Sequence, residues 1–132
     1  MRHVVLWERL DVPGMEYAEV ELDPLRIKGQ VVVLDQGVPC ALSYTVECDE
    51  TGGTSRALLR FRRNGTVAER VLARDGAARW TVDGSPAPGL DGLADVDLSL
   101  TPSTNTLPIR RLRLGDGHRA EVVRRSRAGS RP

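Results

Sequence analysis

Apolar and polar residues alternate along most of this chain with a period of two, the spacing that sends successive side chains to opposite faces of a β-strand. The alternation is strict in Leu93–Leu100, where Val96, Leu98 and Leu100 point one way and Asp95, Asp97 and Ser99 the other. It is looser over Met15–Leu22, which sets Glu16, Ala18 and Val20 against Met15, Tyr17, Glu19 and Glu21 and predicts a strand in preference to a short helix. Val4–Trp7, Arg56–Arg63, Thr66–Ala73, Ala78–Val82 and His118–Val123 read as further strands, Ile27–Leu34 as a buried one, and Cys40–Cys48 as one that puts both thiols on the face of Leu42, Tyr44 and Val46. Asn64-Gly65 is the strongest hairpin signal, because both residues tolerate positive φ. Asp11-Val12-Pro13-Gly14, Asp35-Gln36-Gly37, Asp75-Gly76, Asp83-Gly84 and Gly115-Asp116-Gly117 supply other turns, and Ser85–Gly92 reads as a loop. About nine short strands joined by hairpins, with no convincing helix, predict an all-β fold: a curved, mainly antiparallel sheet forming a partly open barrel.

One strand breaks its own pattern. Leu107 and Ile109 share a face, Leu112 and Leu114 share the other, so the apolar set changes sides near Arg110-Arg111. A bulge there would restore a single apolar face. Without it at least one guanidinium points inward, where it needs a carboxylate, backbone acceptors or an anionic ligand. Asp95 and Asp97 are the nearest acids, across the turn Thr101–Thr106. Two readings stand side by side. Arg110, Arg111, Asp95 and Asp97 form a structural ion-pair network, or they line a cavity and orient the polar end of a ligand, with Thr104 and Asn105 adding hydrogen bonds.

The same residues carry a resemblance. Asp95-Val96-Asp97-Leu98, Thr101-Pro102, Thr104-Asn105 and Leu107-Pro108-Ile109-Arg110-Arg111-Leu112 resemble the signature of the putative glycolipid-binding family, formerly a domain of unknown function. Upstream, Trp7 with Leu10-Asp11, Gly14 and Glu16, then Pro39-Cys40, Tyr44–Asp49, Trp80–Gly84 and Pro88-Gly89-Leu90 fit the same pattern, which spans roughly Met1 to Val123. The resemblance implies an antiparallel β protein curved around a cavity that holds a glycolipid or similar amphiphile, and it brings no catalytic residues. Two departures stand out. Relatives carry a Trp just after the position of Asp49, where this chain has Glu50–Thr54, read here as a flexible loop. Relatives also continue beyond the position of Val123 with further strands, whereas Arg124–Pro132 has the composition of a truncated or frameshifted end.

At 132 residues the chain reads as a single domain over 1–123 with an Arg-rich, disordered tail over 124–132. The core has few rings to draw on: Trp7, Tyr17, Tyr44, Phe61 and Trp80 are the only aromatics. Net charge is +1, but four of the 19 basic residues sit in the tail, which leaves 15 against 18 acids, or −3, in residues 1–123. A mildly acidic body argues against nucleic acid as a partner. Cys40 and Cys48 stand about 26 Å apart along one strand and cannot bridge. Free buried thiols, no secretory h-region and no apolar run near membrane length point to a cytoplasmic protein without integral membrane association.

Catalytic chemistry finds little purchase. His3 and His118 lie at opposite ends, no Ser sits in a Gly-x-Ser-x-Gly elbow, and Asp91, Asp95 and Asp97 do not have the spacing of a calcium loop. The expectation is therefore non-enzymatic, without metal or cofactor. The chain would bind a glycolipid or similar amphiphile through Arg110, Arg111, Asn105, Thr104, Asp95 and Asp97. Trp7 and Glu16 would reach the cavity, although core packing is the first reading for Trp7, since large apolar rings are mostly buried. The alternative is a structural or protein-interaction module in which the Asp/Arg cluster only stabilises, and an open sheet edge beside Arg119–Val122 would allow a homodimer.

Overall fold

The computed structural model describes residues 2–96 and residue 98. Its architecture is one antiparallel sheet of eight strands in sequence order, β1-β2-β3-β4-β5-β6-β7-β8, not closed into a barrel. The strands are β1 Arg2–Glu8, β2 Gly14–Glu21, β3 Arg26–Asp35, β4 Val38–Cys48, β5 Thr54–Arg63, β6 Thr66–Arg74, β7 Trp80–Val82 and β8 Ser85–Pro86.

Three of the hairpins share one device. Gln36-Gly37, Asn64-Gly65 and Asp83-Gly84 are two-residue turns in which both residues have positive φ, at 50° and 76°, 48° and 81°, and 52° and 82°. Such turns match the twist of the strands they join. They close directly on the pairs Asp35↔Val38, Arg63↔Thr66 and Val82↔Ser85, so each fixes the register of the next strand with no slack.

Register in turn sorts the faces. β3 alternates without a break from Arg26 to Leu34: Ile27, Gly29, Val31 and Val33 are buried, and Lys28, Gln30, Val32 and Leu34 are exposed. The expectation of a wholly buried strand is thus corrected; Val32 is 59% exposed, because this sheet covers one face only. β4 places Cys40, Leu42, Tyr44, Val46 and Cys48 on the buried face, with both thiols free. Ile27, Val31, Val46 and Thr54 are the largest fully buried side chains.

Between β4 and β5 the register shifts at Glu47/Cys48, so Thr54 and Ala57 both face inward although they stand an odd number of positions, three, apart. That is the work of a bulge. The segment Glu50–Thr54, expected as a flexible loop, is a turn that runs into β5 at Thr54 and is organised by Asp49, whose Oδ1 accepts from the Thr51 amide, the Thr51 hydroxyl and the Gly53 amide.

Two readings of the later chain are corrected. Ser85–Gly92 is more than loop, since it contains β8 and a 3₁₀ turn over Pro88–Leu90. Leu93–Val96 and Leu98 form no strand. Trp80 holds this segment instead: its indole N–H donates to the Leu93 carbonyl at 3.0 Å and its amide to Asp91 Oδ1 at 2.9 Å. Val96 still points inward, as its alternation with Asp95 predicts, and its amide donates to the Thr54 hydroxyl at 3.3 Å. The Arg124–Pro132 tail and the proposed strands Leu107–Leu114 and His118–Val123 lie outside the described residues.

Candidate functional site

The alternation of β2 turns Glu16, Ala18 and Val20 toward the buried face, as the sequence pattern predicts. Pairing carries that face across the sheet in rows. Trp7, Glu16, Val31, Leu42 and Phe61 form one row, and Val5, Ala18, Gly29, Tyr44 and Leu59 form the next. A carboxylate therefore stands among aliphatic side chains, and Glu16 is only 3% exposed. Buried polar atoms have to be met by polar groups. The Tyr44 hydroxyl donates to Glu16 Oε1 at 3.3 Å.

This contact spans two strands and depends on what lies between them. Tyr44 is on β4 and Glu16 on β2, so the phenol must cross β3. Gly29 is the β3 residue directly opposite both Ala18 and Tyr44. A Cβ at Gly29 would lie 2.5 Å from the ring carbon Cζ and from the hydroxyl oxygen of Tyr44. Only a residue without a side chain leaves that path open, which is the usual meaning of a glycine inside a strand.

Trp7 sits opposite Glu16 on the same face but at the rim, where it is 42% exposed. It is therefore not a fully buried core residue. Among the described residues the site joins an aromatic ring at the edge, a carboxylate and phenol further in, and an aliphatic floor of Val31, Leu42 and Leu59. Such a set can stack on the apolar face of a sugar ring, accept and donate hydrogen bonds to its hydroxyls, and lie against hydrocarbon.

At the other end of the sheet a second buried polar group has a structural purpose. The Arg74 side chain is 10% exposed; its Nε donates to the Thr54 carbonyl at 2.6 Å and its terminal nitrogen to Asp49 Oδ2 at 2.6 Å. Burial works to raise the Asp49 pKa, but hydrogen bonds from the Thr51 side chain and amide, the Arg74 charge and the Gly53 amide outweigh it. The carboxyl therefore lies below its ordinary range. This clasp ties the β4–β5 turn to the end of β6.

The solvent face carries two open grooves. One of about 530 Å³ is lined by Tyr17, Lys28, Gln30, Ser43, Thr45 and Arg60 among others, and one of about 780 Å³ includes Met15, Val32, Pro39, Ala41 and Arg62. The described residues contain no group of three or more His, Cys, Asp and Glu able to hold a metal ion, and no helix among them is long and apolar enough to cross a membrane.

Of the residues expected to bind a ligand, Trp7 and Glu16 are brought together as a pair. Asp95 lies partly buried between Ala94 and Val96, both of which hydrogen-bond Thr54 at the start of β5. Asp97, Thr104, Asn105, Arg110 and Arg111 lie outside the described residues, as does the edge beside Arg119–Val122. Sequence reasoning missed Tyr44 and Gly29 as site residues. Tyr44 was placed on the correct face by parity, and the lone glycine within the run Ile27–Leu34 was the available sign of a close approach.

Comparison with known proteins agrees with the antiparallel fold. No curated protein matches the chain. A crystal structure of a DUF1089 family protein from Pseudomonas aeruginosa is similar, with a TM-score of 0.74 at 33% sequence identity, covering 88% of this chain and 63% of that one. The chain thus spans less than two thirds of that relative's length. The profile described as "Putative glycolipid-binding" matches residues 4–124, and the chain belongs to that family.

Proposed function

We propose that the buried face of the sheet binds a glycolipid or similar amphiphile without catalysing a reaction on it. Glu16 and Tyr44 hydrogen-bond hydroxyls of the head group, Trp7 stacks on it from the rim, and the aliphatic floor takes the hydrocarbon. Asp95, Asp97, Thr104, Asn105, Arg110 and Arg111 complete the polar end in this reading. The observation that carries it is Glu16 itself: a carboxylate 3% exposed among aliphatics, hydrogen-bonded by Tyr44 and standing opposite a half-exposed Trp7. The family description supports the ligand class. The free thiols Cys40 and Cys48 fit a reducing compartment, and we place the protein in the cytoplasm.

Mass spectrometry of organic extracts from the purified protein tests this. A lipid should co-purify with the natural chain and be depleted in Glu16→Gln and Trp7→Ala. Repeatedly clean extracts, or equal lipid in all three proteins, would reject the reading.

A second reading, a protein-interaction module, is favoured by one feature alone. Val4 and Leu6 expose apolar side chains on β1, the end strand of the sheet among the described residues. Co-purification of a stoichiometric protein in place of lipid would favour it.

A further inference from the structure

Among the described residues β1 pairs on one side only, with β2. A seven-residue edge is long enough to template another strand, and chains ordinarily blunt such edges with charge, proline or a bulge. Here charge is confined to the two ends, Arg2 and Glu8, while Val4 and Leu6 between them are 55% and 65% exposed.

The backbone of this edge has a definite phase. The Arg9 amide donates to the Gly14 carbonyl at 3.0 Å, and ladder bonds in an antiparallel pair fall on alternate opposed residues. In the register that opposes Trp7 to Glu16 and Val5 to Ala18, His3, Val5 and Trp7 therefore spend their N–H and C=O groups on β2. Those of Arg2, Val4, Leu6 and Glu8 point out of the sheet.

We propose that β1 pairs antiparallel with β1 of a second copy, about a two-fold axis through Val5. This register opposes Arg2 to Glu8 and Val4 to Leu6 at the hydrogen-bonded positions, twice each by symmetry. Opposite charges then meet at both ends of the seam and apolar side chains meet in its middle. The neighbouring registers fail on charge. Centring on Leu6 sets Val4 against Glu8, and centring on Val4 sets Arg2 against Leu6. On the other face the pairing places Trp7 opposite His3 of the second copy, so each copy adds a residue to the rim of the other's Glu16 site. The area of one strand seam is small, so the dimer dissociates at working concentrations.

Sedimentation equilibrium of the whole chain, from low micromolar to hundreds of micromolar, tests the pairing. A monomer–dimer equilibrium is expected. Arg2→Glu and Glu8→Arg each set like charges against each other and should weaken self-association about tenfold. Mixing the two variants restores both ion pairs and should regain the lost affinity as a heterodimer. Leu6→Pro removes an outward N–H that β2 does not use, and should abolish the dimer with the circular dichroism spectrum unchanged. A monomer at every concentration, a dimer indifferent to Leu6→Pro, or a mixture no tighter than its components would overturn the proposal. So would Val4 and Leu6 amides protected from hydrogen exchange in a monomer, which would mean that the chain covers its own edge.

Discussion

The phenol of Tyr44 passes over Gly29 to reach Glu16, bridging β4 to β2 across the intervening strand. A strand is normally tied to its immediate neighbours by the backbone ladder. Here a side chain joins next-nearest neighbours on the buried face of the sheet.

Gly29→Ala puts a methyl group into the ring of Tyr44. Displacing that ring should cost about 1–3 kcal/mol of stability by overpacking, which outweighs the gain of about 0.4–1 kcal/mol from a less flexible unfolded chain. Tyr44→Phe removes only the hydroxyl and should cost about 1–2 kcal/mol through the hydrogen bond to Glu16. Urea unfolding measures both. In the double variant Gly29→Ala with Tyr44→Phe the costs should fall short of additive, since the first already disturbs the contact that the second deletes.

The Arg74–Asp49 clasp predicts a dependence on pH. The folded-state pKa of Asp49 is depressed, so its contribution is fully present above the unfolded value of about 3.9 and is lost as pH falls through the lower folded value. Asp49→Asn should lower stability at neutral pH and flatten the acid limb of the stability curve. Arg74→Met should destabilise by about 2–3 kcal/mol, because it frees the Thr54 carbonyl and a carboxylate together.

Asp11 offers a local check on the same physics at the surface. The hydrogen bond from Arg9 holds its carboxyl down to about 2, with contacts of 3.0 and 2.7 Å. Titration followed by NMR should show Asp11 rising toward about 3.9 in Arg9→Ala.

Thr54→Val tests how the segment after β8 is held. The change keeps shape but removes the oxygen that accepts from the Val96 amide. A buried donor left unmet should cost about 1–3 kcal/mol, and hydrogen exchange at Val96 should accelerate.

Strand positions were largely legible in the sequence because each hairpin carries its own local instruction. Asn64-Gly65 and Asp83-Gly84 specify positive φ at two successive residues, and the alternation of Glu16, Ala18 and Val20 specifies a face. What escaped was set by distant parts of the chain. Nothing near Trp7 says that the sheet of described strands ends beside it, leaving its ring half exposed. Nothing near Gly29 says that a ring fifteen residues later lies across it. Likewise Leu93–Val96 has the composition of a strand, yet Trp80 and Thr54 recruit its backbone groups as single hydrogen bonds rather than as a ladder.

Every strand in this sheet lies beside its neighbour in sequence, and three of the joints are two residues long. Contacts are therefore made between segments that are never far apart along the chain, so little loop entropy has to be surrendered before pairing is rewarded. The sheet can zip from a central hairpin outward as the polypeptide emerges, each finished strand serving as the template for the one that follows.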